Sequence, residues 1–100
     1  MTKEQIIASA RIFAKLQTVL GKRNAGDVDN ASRLPLRAIT IYNKEAFARR
    51  VLTEETQMFL AKEYEAFSVD DYQESFGKPL TIAEQGVWQR AYHKALDEMK

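Results

Sequence analysis

The sequence of 100 residues contains no cysteine and a single histidine, and these absences exclude several kinds of chemistry. Without cysteine the chain can form no disulfide and can offer no thiolate as a nucleophile or metal ligand, which suits a reducing compartment. His93 is followed one helical turn later by Asp97, a spacing typical of an exposed pair on a helix. The four glycines form no phosphate-binding motif. We therefore expect a protein that is not an enzyme and that binds no metal and no cofactor.

A cluster of acidic residues, formed by Asp70, Asp71 and Glu74, also lacks the pattern of a metal site. A calcium-binding loop would need a central glycine and a terminal glutamate at fixed positions, and neither is present. These three residues are expected to cap and solvate a helix.

Long hydrophobic runs are absent as well. No apolar stretch approaches the roughly 20 residues that span a bilayer, and the N-terminal segment lacks the layout of a signal peptide. Hydrophobic residues make up 45% of the chain and charged residues 29%, which is typical of a globular protein. We expect one domain over residues 1–100, located in the cytoplasm and without membrane contact.

Helix-starting signals, in contrast, occur along the whole chain. Thr2 and Gln5 have the spacing of a capping box, and the apolar stripe that follows predicts a first helix ending at Gly21. Residues 21–32 are rich in Gly, Asn and Asp, so they are predicted to form a surface loop.

The segment from Ser32 to Arg50 is the most informative part of the sequence. Pro35 suits the first turn of a helix, with Ser32 or Asn30 as the nearby cap. A strand is the competing interpretation for residues 36–42, but no partner strand is evident elsewhere. Wound as a helix, the segment gathers one apolar face: Leu36, Ala38, Ile39, Tyr42, Ala46 and Phe47.

Three further helices are predicted in the second half of the chain. Thr53 should cap a helix that runs to about Phe67 and buries Met58, Leu60, Ala61, Tyr64 and Phe67. Ser68 and Asp71 open a short helix that ends near Gly77, and Thr81 and Glu84 open the last one, from Ile82 to about Met99. The fold class is therefore all-α, a single small bundle of about five helices. The expected core consists of Phe13, Leu16, Ile39, Phe47, Leu60, Tyr64, Trp88 and Tyr92.

The formal net charge of +1 conceals a polarity along the chain. Residues 1–50 carry ten Lys and Arg against four Asp and Glu, or +6, whereas residues 51–100 carry five against ten, or −5. Such asymmetry is compatible with a nucleic-acid contact, a charged partner, or copies that pair head to tail. It is equally compatible with two solvated faces of one bundle that attract each other weakly.

The basic residues of the first half form the candidate binding site. If the first helix and the helix from Pro35 pack as an antiparallel pair, their outward faces and the loop between them could merge into one cationic surface for phosphates. The predicted interaction is with nucleic-acid backbone, without reading of base sequence. The candidate residues are Arg11, Lys15, Lys22, Arg23, Arg33, Arg37, Lys44, Arg49 and Arg50.

Three motifs resemble a known family. They are ARIFAKLQ in the first helix, NASRLPLRAI entering the second, and AEQGVWQRAYHK near the end. In this order they are similar to the C-terminal helical part of the large subunit of type I-C CRISPR effector complexes, which also occurs as a separate small subunit. The match departs from the family pattern at His93, which is one place out of register, and at Tyr92, which stands alone where a tyrosine pair is expected. The resemblance implies a non-catalytic helical subunit that lines a larger complex and holds displaced single-stranded DNA on a basic face.

A second hypothesis comes from a different functional class. A small helical protein with an acidic C-terminal half also suits a protein–protein interaction module without nucleic-acid contact, such as an adaptor or an inhibitor of a larger machine, including one encoded by a phage.

Overall fold

The computed structural model describes residues 1–99, in which six α-helices and no strand are present. The all-α prediction is confirmed, with one helix more than expected. The helices are α1 (Lys3–Leu20), α2 (Ala25–Arg33), α3 (Pro35–Ala48), α4 (Glu54–Tyr64), α5 (Val69–Ser75) and α6 (Ile82–Glu98).

Short polar side chains start four of these helices at the positions that the sequence predicts. Complete capping boxes are present at Thr2 with Gln5 and at Thr81 with Glu84. The hydroxyl groups of Thr53 and Ser68 accept hydrogen bonds from backbone N–H groups in the first turns of α4 and α5. Each cap satisfies a donor that has no partner within the helix, which fixes where the helix begins.

Helix α2 replaces the loop that we predicted over residues 21–32. Asn24 caps it, since its Oδ1 accepts a hydrogen bond from the N–H of Gly26 at 2.8 Å. Ala31 and Ser32 are buried, at 0% and 1% exposure. Asn and Gly favour turns in isolation, but here the cap and the burial of the last turn stabilise a helix.

Helix α3 begins with Pro35, as predicted, but its cap differs from the prediction. The N-cap residue is Leu34, which makes no side-chain capping bond. The Ser32 hydroxyl instead donates to the carbonyl of Asp29, and Asn30 contributes only its carbonyl, which accepts from the N–H of Leu34. Both residues belong to the last turns of α2, so neither is available to cap α3.

Helix α1 lies at the centre of the molecule and packs against α3, α4 and α6. Phe13 is fully buried, and its ring centroid lies 4.7 Å from that of Tyr42, 5.6 Å from Trp88 and 6.0 Å from Tyr92. Tyr92 also donates a hydrogen bond to Gln17, another fully buried residue of α1. One aromatic cluster therefore joins α1, α3 and α6.

Helices α1 and α3 run in the same general direction, so they do not form the antiparallel pair on which the single cationic surface was conditional. Phe13 contacts Tyr42, and one to two turns further along both helices the Arg49 guanidinium donates to the carbonyl of Leu20 at 3.2 Å. The reason is α2, which connects the two helices and returns the chain toward the start of α1 before α3 begins. Helix α4 is antiparallel to α1, since Arg11 contacts Glu63 whereas Lys15, one turn later in α1, contacts Phe59, one turn earlier in α4.

Most of the predicted core is confirmed, with Phe13, Leu16, Ile39, Leu60, Trp88 and Tyr92 buried; Tyr64 is partly buried. Phe47 is not in the core, since 77% of it is exposed. In α4, which ends at Tyr64 rather than near Phe67, Met58 is 67% exposed and Ala61 is also exposed. Helix α4 packs onto α1 and leaves the last turn of α3 uncovered. Phe47 in that turn, and Met58 and Ala61 on the outer side of α4, therefore point to solvent.

Replacement of Trp88 by alanine should lower the free energy of unfolding by about 3–5 kcal/mol, because it removes a fully buried ring from the aromatic cluster. Urea denaturation followed by circular dichroism measures the change. Phe47→Ala is the matched control and should cost less than about 0.5 kcal/mol. Equal losses in the two variants would contradict the placement of these aromatic residues.

Candidate functional site

The nine predicted basic residues do not form one free surface, because part of their charge is used inside the fold. Arg11 is the clearest case: its Nε lies 2.8 Å from Glu63 Oε1, and its Nη1 lies 2.9 Å from Glu98 Oε2. The hydrogen bonds to these two carboxylates raise the pKa of Arg11, and its guanidinium lies 5.4 Å from the centroid of the Phe59 ring. Arg11 thus links α1 to α4 and α6.

Three more of the basic residues contact neighbouring helices or the end of α1. Lys22 Nζ lies 2.6 Å from a carboxylate oxygen of Glu45 and 5.9 Å from the centroid of the Tyr42 ring. Lys15 Nζ lies 5.4 Å from the centroid of the Phe59 ring. Arg49 donates to the last turn of α1, as described above. These side chains support the packing of α1, so a ligand would have to compete with existing contacts to reach them.

The remaining five are exposed, and among the described residues none of them forms an ion pair: Arg23, Arg33, Arg37, Lys44 and Arg50. Arg37 and Lys44 share one side of α3 with Ile41, which is 55% exposed. We call Arg37, Ile41 and Lys44 the outward face of α3. Because Leu36, Ile39, Tyr42 and Ala46 hold the opposite side of the helix against the core, this face is fixed toward solvent.

A pocket of about 590 Å³ opens on one flank of the outward face, between α2 and α3. Tyr42 lies in its wall and donates a hydrogen bond to Asp27 Oδ2; burial and this hydrogen bond raise the pKa of Tyr42. The N–H of Leu80 donates to the carbonyl of Arg33 at 2.8 Å, which holds the neighbouring Pro79 against the end of α2. The lining residues are Phe13, Asp27, Asn30, Arg33, Leu34, Arg37, Ala38, Ile41, Tyr42 and Pro79.

A groove lies on the other flank, between the second half of α3 and one side of α4. Phe47 and Arg50 are exposed in its wall, and Leu60 and Tyr64 lie across from them. Arg50 has a φ of 56°, an uncommon left-handed conformation that turns the chain from α3 toward α4. Phe47 was predicted to lie in the core because its spacing fits the apolar stripe of α3. The available signal of its exposure was its position in the last full turn of that helix.

Asp70, Asp71 and Glu74, which were expected to have no binding role, lie in α5. Asp70 and Asp71 occupy the first turn of α5, and Glu74 pairs with Lys78 at 3.6 Å. Within residues 1–99, no three His, Cys, Asp or Glu side chains are arranged to hold a metal ion. In the same range, no helix is both long enough and apolar enough to cross a bilayer.

The division between engaged and exposed cations can be tested by stability. Arg11→Met should lower the free energy of unfolding by about 1–2 kcal/mol, because it leaves Glu63, which is mostly buried, without its partner. Arg37→Met should change it by less than about 0.5 kcal/mol. Thermal and urea denaturation of both variants measures the difference. An Arg11→Met variant as stable as the parent would show that the two ion pairs of Arg11 do not contribute to stability.

Comparison of the chain with known protein families, curated proteins and solved structures finds no match. The resemblance to the small subunit of type I-C CRISPR complexes therefore stays a prediction.

Proposed function

We propose that the protein is a non-catalytic helical module that binds single-stranded nucleic acid through the outward face of α3, as a small subunit of a larger complex. The observation that carries this proposal is the pair Arg37 and Lys44, both exposed and without an ion-pair partner among residues 1–99, beside exposed Ile41 and Phe47. The candidate interface is thereby narrowed from nine basic residues to the cations on and next to α3.

Phosphate is the ligand group that this arrangement suits best. Arg37 and Lys44 are seven residues apart, which corresponds to about 10 Å along a helix axis. Arg33 and Arg50 extend the positive charge beyond the two ends of α3. Contacts of this kind attract the backbone of any nucleic acid, depend strongly on salt and carry no information about base sequence.

The exposed apolar side chains favour a single strand over a duplex. Phe47 lies one helical turn from Lys44 and is 77% exposed, so an unpaired base could stack on its ring while a phosphate contacts the lysine. In a duplex the base faces are already stacked on one another and cannot reach the ring. An aromatic platform beside a row of cations is the usual composition of a single-strand site.

A protein–protein interaction module is the second candidate, and the groove between α3 and α4 favours it. Phe47, at 77% exposure, lines this groove together with Leu52 and Leu60, and a contiguous apolar patch in a groove is typical of a protein interaction site. In this alternative the partner is a protein of the larger complex or a second copy of the chain. A second copy would pair head to tail through the acidic half.

Charge reversal on α3 tests the nucleic-acid proposal. Arg37→Glu combined with Lys44→Glu should weaken binding about equally for unrelated sequences. The double variant should also flatten the log–log dependence of affinity on salt by roughly one unit per lost phosphate contact. Fluorescence anisotropy with labelled oligonucleotides at several salt concentrations measures both effects.

The matched control reverses two exposed cations on α6, in Arg90→Glu with Lys94→Glu, and changes the net charge by the same amount. It should retain the parent's salt dependence apart from a small general effect of net charge. If both double variants bind as the parent does, or the parent shows no salt-sensitive binding, the nucleic-acid proposal is wrong. Loss of a captured protein partner by the α3 double variant in a pull-down would then support the interaction module.

Phe47→Ala tests the preference for single strands. It should weaken single-stranded DNA binding by about fivefold or more, because base stacking on an aromatic ring contributes about 1–3 kcal/mol. Binding to a duplex of the same length should be unchanged. Met58→Ala, which removes an exposed apolar side chain of α4, serves as the control, and an equal loss of duplex affinity in Phe47→Ala would argue against stacking.

A further inference from the structure

The pocket between α2 and α3 differs from the outward face because it contains both signs of charge. Arg33 and Arg37 contribute guanidinium groups to its lining, whereas Asp27 contributes a carboxylate. A site for phosphate alone would gain nothing from a carboxylate, which repels an anion. The presence of both signs of charge in the pocket therefore indicates a ligand that is anionic at one end and carries a hydrogen-bond donor at the other.

Asp27 is held in place within this pocket. Tyr42 donates to its Oδ2, and for its Oδ1 no donor is found among the residues that the structure describes. Asn30, one turn further along α2, adds an amide that can both donate and accept. One carboxylate oxygen is thus free to accept a hydrogen bond from a ligand, with an amide beside it.

The rest of the lining suits a flat ring. Ala38, Ile41 and Pro79 supply apolar surface, and the volume of about 590 Å³ lies within the range of small-ligand pockets. The pocket also borders the outward face directly, since Arg37 and Ile41 belong to both. A strand lying along that face could turn one base into the pocket without leaving its phosphate contacts.

We propose that this pocket binds one nucleotide of a single strand, with its phosphate at Arg33 and Arg37 and its base against Ile41 and Pro79, and that Asp27 selects bases with an amino group. This inference rests on the proposed function and adds a preference at one position to otherwise sequence-independent binding. The N4 amino group of cytosine donates a hydrogen bond that a carboxylate can accept, whereas thymine presents a carbonyl oxygen, another acceptor, at the same position.

The test compares the affinities of oligo(dC) and oligo(dT) strands of about 12 nucleotides by fluorescence anisotropy. The parent should bind oligo(dC) about three- to tenfold more tightly, as expected for one hydrogen bond gained. Asp27→Asn should reduce this ratio to about one, since the amide oxygen can accept from the N4 amino group of cytosine and the amide nitrogen can donate to O4 of thymine. Asp29→Asn is the matched control on α2, where Asp29 is exposed and outside the pocket, and it should keep the parent's ratio.

A second variant tests the volume of the pocket rather than the charge of Asp27. Ala38→Met places a longer side chain into the pocket and should remove the preference for oligo(dC) while leaving salt-sensitive binding to oligo(dT) in place. Ala61→Met, at an exposed position of α4, is its control. Thermal denaturation of all four variants identifies any that fail to fold, and the Asp27 and Ala38 variants each test the pocket independently.

The outcomes separate the pocket from the proposed function. If the parent binds both strands with salt dependence but shows no preference, or if Asp27→Asn and Ala38→Met retain the preference, the nucleotide pocket is wrong and the α3 interface stands. If the parent binds neither strand but binds dCMP about threefold or more tightly than dTMP in an NMR titration, the pocket stands and the strand-binding function is wrong. Binding to none of these ligands overturns both.

Discussion

The burial of α1 is the constraint on which the rest of the structure depends. Its buried residues cover most of the helix circumference, so α3, α4 and α6 must pack around it. At its midpoint Phe13 contacts three aromatic rings, and one turn later Gln17 accepts a hydrogen bond from Tyr92 inside the core. Because an unpaired buried acceptor is costly, the bond from Tyr92 to Gln17 Oε1 favours one register of α6 against α1, whereas Gln17 Nε2 is buried and has no hydrogen-bond partner within residues 1–99.

That packing decides which basic residues remain available for binding. Lys15 and Arg11 lie where α4 crosses α1, and Arg11 is held there by Glu63 and Glu98. Lys22 and Arg49 connect the ends of α1 and α3. The surplus of positive charge in the first half is therefore partly balanced by acids of the second half within the molecule. Of the five exposed cations of the first half, Arg37 and Lys44 lie on α3, which packs on α1 by one side only.

The two flanks of α3 give the exposed cations different neighbours. On the α2 flank, Asp27 and Tyr42 form a mixed polar and apolar pocket, whereas on the α4 flank Phe47 stands exposed above a groove. Charge on α3 would supply long-range attraction and orientation, and the flanks would supply contacts at short range. The same division of roles would apply to a protein partner.

The sequence by itself determined the local structure of this protein. Capping residues such as Thr2, Thr53, Ser68 and Thr81, together with the period of apolar residues, identified five of the six helices and most of the core, because these signals act within a few residues of the chain. Only the tertiary structure decided the rest. Helix α2 is stabilised by the burial of Ala31 and Ser32, the direction of α3 follows from α2, and Phe47 is exposed because α4 packs elsewhere. The candidate site depends on these three outcomes, since the periodicity of α3 says which residues share a face but not which neighbours cover it.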